Sequence, residues 1–240
     1  MDNTAYISLS RQAATHRQME VIANNIANAS TPAYKAERLL FSEYLSKGSN
    51  NNQSVSFVQD SSVIRDTSEG ALSETKNPFD LAIKGDGYFV VQGQSEPNYS
   101  RNGRLHLNED GKLVNNLNMP VLDESDRPIT IEPGIARIEI SQDGTIKGEN
   151  GEIGRIKIVR FDDEQSLTRL SSALYRTDAA PQPATESKVF QGMLEESNVR
   201  PIVEITNMID AHRSYQNSQQ MIQNEHERVL KSIETLTHAA

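Results

Sequence analysis

Apolar and polar positions along this chain change their period twice. Over residues 4–29, Leu9, Gln12, His16, Met19, Ala23 and Ile26 step by three and four along one face, with Ala13, Ile22 and Ala29 beside it. That period predicts an amphipathic helix about 40 Å long. Its face is narrow and rich in small residues, which permits close approach of another helix. Asn24, Asn25 and Asn28 weaken its last turns, and Pro32 then disfavours helical geometry in the residue before it. KAERLLFSEYLS, residues 35–46, predicts a short second helix, and GSNNNQSVS, residues 48–56, a polar connection.

From Ser56 the period becomes two. Residues 81–92 read as strand, turn at Gly85-Asp86-Gly87, strand, the pattern of a hairpin. Residues 101–115 repeat the plan around Asp110-Gly111, and residues 135–161 around Asp143-Gly144, with short strands at 120–122 and 128–131. Short strands joined by tight turns predict an all-β middle, an antiparallel barrel or sandwich. Residues 162–198 break that pattern and predict a mixed, extended segment that leaves the sheet.

The last change of period opens a helix of roughly 50 Å from about Ile202 to Leu236. Met208, Tyr215, Ile222, Val229 and Leu236 fall seven residues apart and form one heptad seam. The other seam reads Ile205, His212, Gln219, His226, Ile233, apolar only at its ends. A helix with one polar seam needs company, from its own chain or from other copies. The expected fold class is α+β: N- and C-terminal helices paired as an α-helical stalk, with an inserted all-β middle domain. Its segments are 1–34 (helical), 35–76 (connecting), 77–161 (β), 162–198 (extended return) and 199–240 (helical).

Composition narrows the function. The 240 residues carry a net charge of −9, which argues against a nucleic-acid partner. Hydrophobic content of 36% and mean hydropathy of −0.59 are low for one compact globule, so much of the chain is expected at surfaces or interfaces. The absence of cysteine excludes disulfides and thiolate metal sites. The opening thirty residues lack the basic start and apolar run of a secretory signal, and no stretch approaches the ~20 apolar residues of a membrane span. His212 and His226 lie fourteen apart, about 21 Å along a helix, so one metal cannot join them. Asp123-Glu124 and Asp162-Asp163-Glu164 read as solvated turns. No catalytic set, cofactor site or metal site emerges, and the end helices carry the remaining signal, as a stalk or as subunit packing.

Several motifs then converge. Residues 23–28 (ANNIAN) followed by 31–35 (TPAYK), 77–91 (NPFDLAIKGDGYFVV), 99–103 (YSRNG) with 110–113 (DGKL), 191–199 (QGMLEESNV) and 208–215 (MIDAHRSY) resemble, in this order, the signature segments of the bacterial flagellar rod and hook protein family. Ala33 departs from the pattern, standing where the family has glycine, the residue that tolerates positive φ. The resemblance implies a non-enzymatic structural subunit of the proximal rod, with a distal rod or hook-type role in the same family as the alternative. A soluble periplasmic hydrolase or wall-binding module is the rival from another class. The resemblance also implies the partners: copies of itself, other flagellar rod proteins and the flagellar type III export apparatus, with no nucleic acid, no membrane insertion and no cofactor. It implies a location in the periplasmic rod of the basal body, reached without a cleaved signal. The expected assembly interface is Leu9, Met19, Asn24, Asn25, Ile26, Asn28, Leu194, Ser197, Asn198, Val199, Ile205, Met208, Ile209, Arg213, Tyr215, Ile222, Val229, Ile233 and Leu236.

Overall fold

The computed structural model describes residues 3–47, 54–94, 96–132, 138–149, 151–171 and 173–238. The chain divides into two units: residues 1–27, 37–65 and 200–240 form the first, and residues 28–36 and 66–199 the second.

The first unit holds helix α1 (Asn3–Ala27), strands β1 (Glu37–Lys47) and β2 (Ser54–Arg65), and helix α2 (Pro201–His238). Proline opens α2, where its missing N–H and fixed φ cost nothing. α1 and α2 pack against each other in antiparallel sense. Arg11 Nη2 lies 3.4 Å from Ser214 Oγ, the rings of His16 and Tyr215 are 6.4 Å apart, and Asn25 Nδ2 lies 3.4 Å from Glu204 Oε2. Arg11 and His16 meet residues 214 and 215, while Asn25, further along α1, meets Glu204 near the start of α2, so the helices run in opposite directions.

β1 overturns the expected short helix at 35–46. Its sequence, ERLLFSEYLSK, has no β-branched residue and favours helix on local propensity. It is nevertheless an eleven-residue strand in antiparallel register with β2, from Glu37 opposite Arg65 to Lys47 opposite Ser54. Pairing with a partner strand overrides local preference. The polar connection expected at 48–56 lies mostly outside the described residues; Ser54–Ser56 begin β2.

Among the described residues the second unit is a stack of antiparallel sheets with no closed barrel, which corrects the barrel half of the expectation. Its six-stranded sheet runs, in spatial order, 168–171, 174–176, 98–100, 88–91, 158–160, 182–183. A four-stranded sheet runs 188–191, 80–84, 103–107, 113–115. Leu81, Ile83, Leu105, Leu113 and Val189 of the smaller sheet share one core with Phe89, Val91 and Leu174 of the larger. The other face of the larger sheet packs Tyr88, Val90, Tyr99 and Val159 against Leu122, Phe161 and Leu167. Burial on both faces explains the unbroken apolar run Tyr88–Val91.

Two further expectations are corrected. Asp80–Lys84 and Tyr88–Val91 do not pair as a hairpin; they belong to different sheets. The Gly85–Gly87 turn is a corner, held by Arg101, whose Nη2 donates to Gly85 O at 2.9 Å and Nη1 to Gly87 O at 3.3 Å. Glu69 Oε1 accepts from Gly85 N–H at 2.6 Å. Residues 162–198 do not leave the sheets either: they supply Thr168–Ser171, Leu174–Arg176, Lys188–Gln191 and Met193–Glu195. Only Leu174, Tyr175, Val189, Leu194 and Glu195 of those strands are deeply buried, so the alternating signal is faint. The Asp-Gly turns do join hairpins, at 103–115 and 139–148. The first residues of the strand expected from 135 lie outside the described residues.

Candidate assembly interface

The expected interface residues divide between the two units. On α2 the stripe toward α1 is Glu204, Met208, Ala211, Tyr215, Ser218, Ile222 and Glu225, stepping by four and three, all buried or half-buried. Met208, Tyr215 and Ile222 are the expected first seam. Their companion seam is Glu204, Ala211, Ser218 and Glu225, a set that hydropathy does not reveal. Ser218 Oγ donates to its own Ser214 carbonyl at 3.0 Å, so the hydroxyl enters the seam already satisfied. On α1, Ser8, Thr15 and Ile22 are buried at intervals of seven, and Thr15 Oγ1 donates to Arg11 O at 2.8 Å. The pair therefore meets through small and hydroxyl-bearing side chains that allow close approach.

Ile205, His212, Gln219, His226 and Ile233 do not enter this contact. They are exposed, together with Ile202, Ile209, Gln216, Gln223 and Leu230, in one continuous heptad stripe along α2. Ile205 is 49% and Ile233 52% exposed. Ile209, Arg213 and Val229 are exposed as well, and the side chain of Leu236 lies outside the described residues. On α1 the apolar face is turned one position from the buried one: Leu9 is 57% exposed, Met19 and Ile26 half-buried and Asn24 exposed. α2 has 38 residues against 25 in α1, so it is longer by 13. Residues 226–235 are all exposed.

Asn25 is buried inside the first unit. Its Oδ1 accepts from Glu37 N–H at 3.0 Å and its Nδ2 donates to Glu37 O at 2.8 Å.

In the second unit the motif segments meet at a cluster that the sequence analysis did not single out. Glu195 accepts from Lys35 Nζ and Arg101 Nε, both at 2.6 Å, and the three side chains are 1%, 3% and 2% exposed. Gly70 N–H donates to the same carboxylate at 2.9 Å, and Lys35 Nζ also donates to Ser68 O at 2.7 Å. Burial opposes the charge on Glu195, but Arg101 and Lys35 outweigh it and hold the carboxyl below its usual range. Burial lowers Lys35, aided by Arg101 and resisted by Glu195. Burial raises Glu164 nearby, against the pull of Arg101. Arg169 stacks 4.5 Å over the Tyr34 ring and donates to Lys35 O at 2.8 Å. The signal in the sequence is a charge set within each motif segment: Lys35 after Tyr34, Arg101 after Tyr99-Ser100, and Glu195, followed by Glu196, after Leu194.

The other expected residues surround this cluster. Asn198 Oδ1 accepts from Ala36 N–H at 2.7 Å, and its Nδ2 donates to Asp66 O and Ser68 O. Val199 packs with Tyr34 and Ala36, Leu194 is buried, Ser197 Oγ accepts from Val199 N–H, and Asn28 O accepts from Thr31 N–H. Ala33 has φ +57° and is 1% exposed, with its N–H on Glu195 O at 2.8 Å. The left-handed backbone of the glycine pattern is thus kept, with the strain of a Cβ, about 1–2 kcal/mol. Ala33→Gly is expected to stabilise the second unit by about 0.5–1 kcal/mol after the added entropy of the unfolded chain, measured by denaturant unfolding.

Among the described residues, no group of three metal-ligating side chains could hold an ion, and no helix is long and apolar enough to cross a membrane.

Comparison with known proteins shows the family. Residues 6–35 match the model of the flagella basal body rod protein, residues 82–148 that of the flagellar hook protein FlgE/F/G D1 domain, and residues 191–234 that of the flagellar basal body rod FlgEFG protein C-terminal region. The chain is 38% identical to the flagellar basal-body rod protein FlgF of Caulobacter vibrioides over 98% of both chains. It is 31% identical to FlgF of Mesorhizobium japonicum over 98% of both. It is 30% identical to the rod protein FlgG of Bacillus subtilis over 92% of this chain and 93% of that one.

Proposed function

This chain belongs to the flagellar basal-body rod protein family, and from that premise we propose how it builds a rod. It is a structural subunit of the flagellar basal body, and its membership points to an architectural role instead of catalysis. The finer reading is a proximal-rod subunit, in the periplasmic part of the rod, exported unfolded by the flagellar type III apparatus. The α1–α2 pair serves as the stalk that packs with copies of the chain and with other rod proteins, and the sheets of the second unit add lateral contacts.

One observation carries the assembly reading. The outward stripe of α2 is exposed from Ile202 to Ile233, with Ile202, Ile205 and Ile209 at one end, Leu230 and Ile233 at the other, and Gln and His between. Repeated apolar positions at heptad spacing are the pattern of a helix that packs against further helices. A monomer gains nothing by holding them in water. A head-to-tail contact that does not close on itself extends into a filament.

Deleting residues 3–27 tests this. The sheets of the second unit contain none of those residues, so they should keep their cooperative unfolding, while the chain no longer co-purifies with basal bodies and the cells do not swim. Normal motility in the deletion strain contradicts the assembly role of α1.

A further inference from the structure

We propose that Asn25 is a positioning residue that joins α1, the β1–β2 ribbon and α2 into one body, acting within its own chain and not on a neighbouring subunit. The inference rests on reading this helix-and-ribbon unit as the part that assembles. The Asn25 side chain touches all three elements. It exchanges two hydrogen bonds with the backbone of Glu37, the first residue of β1, accepting at 3.0 Å and donating at 2.8 Å. The carboxamide thereby imitates a paired strand residue and ends the ribbon on the helix. The same Nδ2 lies 3.4 Å from Glu204 Oε2 in the first turn of α2. The residue is 1% exposed, whereas Asn24 beside it is exposed.

The chemistry is selective for asparagine. The site needs an acceptor and a donor on one short side chain. Alanine supplies neither, and glutamine places both one methylene too far. Aspartate keeps the acceptor, but when ionised it sets an oxygen against the Glu37 carbonyl and a second carboxylate beside Glu204. The charged groups at this joint are Glu204 on α2 and, on the ribbon, Glu37 with Arg65 opposite it in register. Protonated aspartic acid regains a donor and imitates asparagine. Its buried position beside Glu204 raises the pKa of such a group.

The test uses the full-length chain. In Asn25→Ala the amide of Glu37 is expected to exchange with solvent at least about tenfold faster at fixed pH, through loss of its acceptor. Asn25→Asp is expected to melt roughly 5–10 °C below the parent at pH 7. That deficit closes as the pH falls toward 5, while the deficit of Asn25→Ala stays constant. If Asn25→Asp does not fold at pH 7, Asn25→Asp with Glu204→Gln removes the like charge and shows the same recovery at lower pH. Unchanged Glu37 exchange in Asn25→Ala, or an Asn25→Asp deficit that ignores pH, overturns the proposal. Both readouts are taken on the isolated chain, so they stand or fall separately from rod incorporation, which is scored in parallel in cells.

Discussion

Glu195→Gln is expected to destabilise the second unit by about 3–5 kcal/mol, the cost of leaving buried charges without their partner. The substitution keeps shape and removes one negative charge. Lys35 and Arg101 then face each other across a site where all three side chains are shielded from water. Glu69 is half-exposed and reaches Arg101 at only 3.3 Å, so it cannot take over. Denaturant unfolding of the full chain measures the loss. Replacing all three together, by Lys35→Met, Arg101→Met and Glu195→Leu, should cost less than Glu195→Gln alone, because apolar groups leave no uncompensated charge. A triple variant weaker than the single one would mean that the cluster stabilises through packing and backbone bonds, not through charge balance. The pH dependence has a definite sign. The folded-state pKa of Glu195 is depressed, so its contribution is fully present above the unfolded carboxylate range, about 4.3. It disappears as the pH falls through the folded value. The stability gap between the parent and Glu195→Gln should therefore be constant near neutrality and narrow below about pH 4.

Ile205→Asp combined with Ile233→Asp is expected to abolish rod assembly while leaving the isolated chain as stable as the parent. Both side chains are already about half exposed on the free chain. Surface changes of this kind usually move stability by less than about 0.5 kcal/mol. In a helical assembly each isoleucine buried against a neighbour contributes about 1.5–3 kcal/mol, and a carboxylate there adds a desolvation penalty. The same two substitutions would then act at the subunit contacts of every copy. Ala211→Asp and Ser218→Asp are the contrasting pair. They sit in the seam toward α1, so they should separate the helix pair and lower the stability of the isolated chain by about 2–3 kcal/mol. Thermal melts of the purified variants, with swimming assays and basal-body yields, distinguish the two seams. Motile cells with full-length rods carrying Ile205→Asp and Ile233→Asp would remove the outward stripe from the assembly surface.

Local patterns determined much of this protein. The steps of three and four place both end helices, because a helix exposes its neighbours to each other at that spacing. The Asp-Gly pairs at 110–111 and 143–144 mark true hairpin turns, since Gly111 and Gly144 take positive φ with no Cβ to resist it. The motif segments, read in order, identify the family that the comparisons name. The exposed second seam of α2 was legible as polar in the middle, but its direction was not.

Tertiary structure decided the remainder, and the physical reason is the same each time: the deciding partner is remote in sequence. Residues 37–47 favour helix until β2 supplies hydrogen bonds along their length. The Gly85–Gly87 turn looks like a hairpin until Arg101 turns it into a corner between sheets. The buried faces of α1 and α2 carry Ser8, Thr15, Ala211 and Ser218, small residues that no hydropathy pattern marks as interior. All four are buried in the first unit, and the hydroxyls of Thr15 and Ser218 are satisfied within their own turns. Lys35 and Glu195, 160 positions apart, meet only in the folded second unit. A charge that local sequence reads as solvent-facing becomes buried when its countercharge arrives from the other end of the chain.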